Sequence, residues 1–316
     1  MLDFVYIIIG ILLAIIVLVI GFSYVCYRLT FHVKNKDKVL GQEFSLPPGK
    51  IYEPYHDILY KWSEETSHMP YTDVNIKSQD GLNLHGRFYK GREDAVLEIM
   101  FHGYRGNAQR DLCGGIKRAL ELEHNVLLVD QRASAYSDGN VITFGIKERL
   151  DCLDWVKFVV ENIDPNAKII LTGVSMGAST VAMASGLELP ENVIGILADC
   201  GFSSPRKIIM KCVKELHLPP KLCFPFIKLG GLIFGKFNID EVTPLEALEN
   251  CKVPIIFFHG ENDKFVPAYM SKEMYEVVKS RKKLVMIPNA GHGLSYMVKP
   301  KEYISNLHDF FYEYDI

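Results

Sequence analysis

The chain has 316 residues, 48% hydrophobic and 23% charged, with a net charge of −3. This suits one large globular domain with a sizeable core and excludes a global basic field of the kind that gathers nucleic acid. The seven cysteines are odd in number and none are spaced as C-x-x-C. They predict neither a disulfide framework nor a zinc site, and they favour a reducing compartment.

Phe4 to Tyr27 carries no charged residue and is rich in Ile, Leu and Val. As a helix of about 1.5 Å per residue it covers a bilayer core of about 30 Å with some tilt. A cleaved signal peptide fits less well, because Asp3 stands where a basic n-region belongs and the run is too long. Residues 1–30 therefore read as a transmembrane anchor, with the membrane contacted through residues 4–27. Arg28, Lys34, Lys36 and Lys38 follow, against one acid, Asp37. The positive-inside rule then favours the cytoplasm for the rest of the chain, with an uncleaved signal anchor facing outward as the alternative. Residues 31–70 read as a tether and entry segment with a turn at Pro47-Pro48-Gly49.

From Tyr71 short apolar runs alternate with helical patterns. Thr72–Lys77 and Leu82–Tyr89 flank the turn signal Asp80-Gly81. Val96–Phe101, Asn125–Val129, Lys168–Leu171, Asn192–Ala198, Pro254–Phe258 and Lys283–Ile287 read as buried strands. Helices are expected over Ala108–Leu122, with Asn107 as N-cap, over Ile146–Asn162, over Ala178–Ala184 and over Lys301–Tyr312. Near-continuous apolar strands separated by helices predict a mostly parallel sheet covered on both faces. Residues 203–250 break the rhythm with Pro205, Pro219, Pro220, Pro225 and Gly230-Gly231. They read as a small helical cap, with a long crossover as the plainer alternative.

Gly173-Val174-Ser175-Met176-Gly177 follows an apolar strand and opens an Ala-rich helix. This is the setting a nucleophile elbow requires: the glycines let strand and helix approach, and the turn exposes the serine hydroxyl. A serine needs an adjacent base. Downstream histidines are His217, His259, His292 and His308. His292 is the candidate, in the loop Asn289-Ala290-Gly291-His292-Gly293. The acid that orients it is expected at Asp263, with Asp199 and Glu261 as rivals. Two backbone N–H donors would hold an oxyanion: Met176, after the nucleophile, and Tyr104, in His102-Gly103-Tyr104-Arg105-Gly106-Asn107. His102, at a strand end, reads as scaffold. No metal, nucleotide or cofactor motif is found.

From about Tyr71 to Tyr312 the chain resembles bacterial α/β-hydrolases of the serine aminopeptidase-like or carboxylesterase-like group. It is also similar to eukaryotic Bem46-like hydrolases, which carry an N-terminal membrane segment. Besides the stretches already quoted, the resemblance rests on Asp130-Gln131-Arg132, Ala198-Asp199-Cys200-Gly201-Phe202 and His259-Gly260-Glu261-Asn262-Asp263. It implies the α/β-hydrolase fold and a triad of Ser175, Asp263 and His292. One departure is Ala133-Ser134-Ala135, where relatives often have a Gly-His-Gly-like turn. The expected activity is hydrolysis of small or medium acyl esters through an acyl-enzyme. Peptidase and thioesterase activities are alternatives within the fold, and a non-catalytic membrane-anchored interaction protein is one outside enzymology.

Overall fold

In the computed structural model, which describes residues 2–33 and 49–314, the apolar runs form one eight-stranded sheet in the order β1-β2-β4-β3-β5-β6-β7-β8. The hairpin β1 (Thr72–Lys77) and β2 (Asn83–Tyr89) is antiparallel, and β2 pairs antiparallel with β4 (Asn125–Val129). The remaining ladder is parallel through β3 (Leu97–Phe101), β5 (Ile169–Val174), β6 (Val193–Asp199), β7 (Ile255–Gly260) and β8 (Lys282–Ile287).

Alternate side chains of each strand leave opposite faces, and each face has its own cover. Ile99 and Phe101 join Trp155 of α4 (Glu148–Phe158), Val181 of α5 (Met176–Ala184) and Met274 of α9 (Tyr269–Val277). On the other face Met100 packs with Leu112 and Ile116 of α3 (Ala108–Glu121), while Phe258 packs with Tyr303 and Leu307 of α11 (Pro300–Tyr314). Asn107 caps α3, its side chain accepting from the Arg110 N–H at 2.8 Å. Glu98 is the exception in a wholly buried strand. It is held by Arg118 at 2.9 Å, by His124 at 2.8 Å and by the Thr172 hydroxyl at 2.7 Å. Burial alone would raise its carboxyl; the Arg118 charge, with the hydrogen bonds from His124 and Arg118, outweighs that and holds it below the usual carboxylate range.

Between β6 and β7, residues 203–250 form α6 (Pro205–Glu215), α7 (Pro220–Gly230), a π turn over Gly231–Gly235 and α8 (Pro244–Leu248). Three prolines start these helices: Pro205, Pro220 and Pro244 each stand in a first turn, where no N–H is needed, whereas Pro225 lies inside α7.

The N-terminal helix α1 (Leu2–Thr30) is long and apolar enough to cross a membrane. The boundary expected at residue 30 nevertheless falls inside packed structure. Cys26, Tyr27 and Phe31 are buried in one cluster with Phe144, Phe237 and residues of α6 and α7. Gly230 makes the contact possible, because a Cβ there would lie 2.4 Å from the Ser23 carbonyl oxygen. The 31–70 segment likewise contains a helix, α2 (His56–Ser67), packed on α3 through Trp62 and Gly114. Lys34, Lys36, Lys38 and the Pro47-Pro48 part of the expected turn lie outside the described residues.

The end of α1 is thus part of the domain core. Deleting residues 1–21 should leave the melting midpoint of the remaining domain intact. Deleting residues 1–30 should lower it, on the order of 5–10 °C for a loss of a few kcal/mol in a domain of this size. Equal midpoints for the two truncations in thermal melts would contradict the packing role of Cys26 and Tyr27.

Candidate active site

β5 runs directly into α5 through Ser175, which holds φ 57 and ψ −117. A side chain in this region is unfavourable by about 1–3 kcal/mol, so the surroundings must impose it. They do so by close approach. A Cβ on Gly177 would lie 2.0 Å from the Phe101 carbonyl oxygen, and one on Gly173 would lie 2.2 Å from the Gly177 backbone. Glycine at both positions lets α5 sit against the ends of β3 and β5. The Ser175 N–H donates to the Asp199 carbonyl at 2.9 Å, which ties the turn to β6.

The Ser175 Oγ lies 2.9 Å from His292 Nε2, and His292 Nδ1 lies 2.7 Å from Asp263 Oδ2. The three residues expected to act together are therefore in hydrogen-bond register. His292 rides on the loop after β8. That loop passes the end of β7 closely, and a Cβ on Gly260 would lie 2.3 Å from the Ala290 carbonyl oxygen. Asp263 is held on both oxygens. Oδ1 accepts from the N–H groups of Phe265 and Val266 at 2.8 and 2.9 Å, while Oδ2 faces His292 and, at 3.2 Å, His259 Nε2. Burial would raise this carboxyl, but the hydrogen bonds from His259 and His292 outweigh burial and hold it at about 2. Asp263 is therefore an anion throughout the neutral range.

The rival acids lie elsewhere. Glu261 is exposed. Asp199 is buried and accepts from the Ser295 hydroxyl at 2.9 Å, and burial raises its carboxyl. Among the hydrogen bonds of the described residues, neither reaches His292. The rival histidines separate in the same way. His259 is buried between Ser271 and Val266 and braces Asp263. His217 and His308 are exposed. His102 is locked into its own loop, with Nδ1 2.8 Å from the Gly103 carbonyl and Nε2 accepting from the Gln131 N–H at 3.1 Å.

That loop turns around the Asp111 carboxylate, which accepts from the Gly103 N–H at 3.2 Å and fills the place where a Gly106 Cβ would stand. Gly103 backs onto Ser175, since a Cβ there would be 3.6 Å from the Ser175 Cβ. Met176 is the first residue of α5, so its N–H has no acceptor within the helix. Two further contacts join the loop to α1. The Tyr104 hydroxyl donates to the Thr30 carbonyl at 2.6 Å, and Arg105 Nη2 donates to the Leu29 carbonyl at 2.8 Å. They satisfy carbonyls that the end of a helix leaves free. The departure at Ala133-Ser134-Ala135 keeps a glycine-like path: Ala133 and Ala135 stand at φ 62 and 37. The Ser134 hydroxyl donates to the Gly106 carbonyl at 2.8 Å and binds this turn to the Tyr104 loop.

Ser175 and His292 open onto a cavity of about 960 Å³. One wall comes from a segment with no recognised role in the sequence pattern, Lys50 to Leu59. The Tyr52 hydroxyl donates to the His292 carbonyl at 3.0 Å. Ile51 fills the space above Gly291, where a Cβ would lie 1.8 Å from Ile51 Cδ1. The only sequence signal for this wall is an unexplained cluster of apolar and aromatic residues, Ile51, Tyr52 and Tyr55. Cys200, Asp263 and His292 form the one group of potential metal donors among the described residues. His292 and Asp263 already occupy each other there, and burial raises the Cys200 thiol well above its ordinary range.

Asp263→Asn should lower turnover about 10⁴-fold, because the amide favours the wrong imidazole tautomer and leaves the imidazolium unsupported. Glu261→Gln should leave turnover within about twofold, as exposed substitutions away from the reacting groups do. Steady-state rates on a p-nitrophenyl ester for these variants and Asp199→Asn decide the point. A loss in Asp199→Asn exceeding that in Asp263→Asn would move the acid to β6.

The model of the PhoPQ-activated pathogenicity-related protein family matches residues 238–314. YqkD of Bacillus subtilis is 25% identical over 256 residues, 81% of this chain and 82% of that one. Bem46 of Schizosaccharomyces pombe is 22% identical over 231 residues, 71% of this chain and 72% of its own. Among solved structures, the Pyrococcus furiosus esterase Pf2001 is 25% identical with a TM-score of 0.65, covering 79% of this chain and 93% of that one. This sheet order, with a serine on the turn after β5, is that of the α/β-hydrolase fold, and the chain is similar to Bem46 and to the Pf2001 esterase.

Proposed function

We propose that the protein is a membrane-anchored serine hydrolase that cleaves small or medium acyl esters through an acyl-enzyme. The observation that carries this reading is the hydrogen-bonded series Ser175–His292–Asp263, at 2.9 and 2.7 Å, opening onto a cavity. Apolar lining from Ile51, Leu59, Val174, Phe265 and Leu294 suits an acyl chain.

In the proposed reaction His292 Nε2 takes the proton of the Ser175 hydroxyl as Oγ attacks the ester carbonyl carbon. The imidazolium that forms is stabilised by the Asp263 carboxylate. The tetrahedral oxyanion is received by the N–H groups of Met176 and Tyr104, with the positive end of α5 behind it. Collapse breaks the bond to the leaving oxygen, which takes the proton from His292 and departs as the alcohol. Water then gives a proton to His292 and attacks the acyl-enzyme, and Ser175 regains its proton as the carboxylic acid leaves.

The apolar helix α1 is the proposed single-pass anchor. Arg28, Lys34, Lys36 and Lys38 orient the catalytic domain to the cytoplasm.

One labelling experiment tests chemistry and sidedness together. A membrane-permeant fluorophosphonate should label the protein in intact cells, and Ser175→Ala should abolish the label. A charged, impermeant fluorophosphonate should label only after lysis. Persistent labelling of Ser175→Ala would refute the nucleophile, and labelling of intact cells by the impermeant probe would reverse the orientation.

A further inference from the structure

The cap carries an apolar surface that its own fold leaves uncovered. Leu216 and Leu222, at the α6–α7 turn, are 69% and 65% exposed, and Leu218, Leu232 and Ile233 are exposed as well. From Leu216 to Ile239 the chain contains no Asp or Glu, while Lys221, Lys228 and Lys236 lie among the apolar residues. Exposed clusters of large apolar side chains mark contact surfaces.

Its place beside α1 identifies the occupant. Phe226 packs on Phe22 with ring centroids 4.9 Å apart, Gly230 abuts Ser23 and Tyr27, and Gly231 abuts Phe31. Rising numbers on α7 thus meet rising numbers on α1, and the two helices run in the same direction. Leu222, one turn before Phe226, lies level with α1 residues about one turn before Phe22. Residues 4–22, all uncharged, already supply nearly the roughly twenty residues that a hydrocarbon core requires. Tyr24, Tyr27 and Arg28 follow, as aromatic and basic residues do at the headgroup level. Leu222 and its neighbours therefore stand at the depth of the last apolar turns of the span.

Resting on the reading of α1 as a membrane anchor, we propose that the α6–α7 tip of the cap forms a second membrane contact, inserted into the lipid beside the last apolar turns of α1, with Leu232-Ile233 at the headgroup level beside Tyr27. The exposed Lys221 and Lys236 provide the charge expected of an interfacial element against anionic headgroups, while Lys228 is paired with Asp240 at 2.7 Å. The same cap reaches the catalytic cavity. Lys211 of α6 donates to the Lys264 carbonyl at 2.7 Å and stands 5.2 Å from the Phe265 ring centroid, and that ring lies 5.0 Å from the His292 ring. Insertion of the tip holds the cavity mouth near the membrane surface.

Tryptophan quenching by phosphatidylcholine brominated on its acyl chains tests this in vesicles carrying the full chain. Leu222→Trp, Leu18→Trp and Tyr312→Trp are each compared with the parent, whose Trp62 and Trp155 give the background. Leu18→Trp reports the anchor, and Tyr312, 92% exposed on the last helix, reports water. The added fluorescence of Leu222→Trp should fall by about half or more, as for Leu18→Trp, with Tyr312→Trp unaffected. Quenching at residue 18 without quenching at 222 would overturn the proposal and leave the anchor standing. No quenching at either would remove both. A blue-shifted but unquenched residue 222 would mean that another protein surface, such as a second copy of the chain, covers the tip, and would also overturn it. Fluorophosphonate labelling at the parent level certifies each variant as folded, and Leu218→Trp, at the same tip, provides the same reading if Leu222→Trp fails that check.

Discussion

The crossing of β3, β5 and α5 with no side chain between them is the constraint on which the candidate site depends. Gly173 and Gly177 remove the Cβ atoms that would otherwise meet backbone at 2.2 and 2.0 Å. With the helix that close, the residue between strand and helix takes the left-handed backbone seen at Ser175. The hydroxyl is then raised clear of the sheet at the positive end of α5, with the Met176 N–H beside it. The unfavourable backbone at Ser175 is of order 1–3 kcal/mol. It is sustained by the buried strands around it, β3 and most of β5, and by the bond from Ser175 N–H to Asp199.

The acid and the histidine come from neighbouring strand ends and need a different kind of support. Asp263 is buried, and an unpaired carboxylate there would be strongly destabilising. Two backbone N–H groups and two imidazoles satisfy it. His259 consequently serves the site without touching the serine. The His292 loop is also held from outside the sheet, by Tyr52 on its carbonyl and Ile51 over Gly291. The Tyr104 loop is fastened to the end of α1. Residues 50–59 and the end of α1 thus back two sides of the cavity, and α1 and the Tyr104 loop share one packed core.

Much of this was legible in the sequence because it lies in local patterns. Apolar runs of four to seven residues marked the buried strands of the sheet, and Asp80-Gly81 marked the hairpin. G-V-S-M-G after such a run marked the elbow. The helix α9 was less visible: Tyr269–Val277 buries only Met270, Ser271 and Met274, too few for a clear apolar stripe. The Ile51–Tyr52 wall was invisible, since its significance comes from Gly291, some 240 positions away. The same holds for the contact of α1 with Gly230. A glycine pair in a helix pattern reads as a break, and only the partner helix shows that it is a docking groove. Glu98, an acid within a buried strand, becomes intelligible only when Arg118, His124 and Thr172 are placed around it.

Acyl transfer through Ser175, activated by His292 as proposed, can be observed by mixing the protein rapidly with p-nitrophenyl butyrate, quenching in acid and mapping the peptides by mass. A burst of about one nitrophenolate per protein molecule is expected when deacylation is slow, with a butyryl group on the peptide that carries Ser175. His292→Ala should suppress both burst and adduct. Turnover with the acyl group on another residue, or undiminished acylation in His292→Ala, would rule out this chemistry.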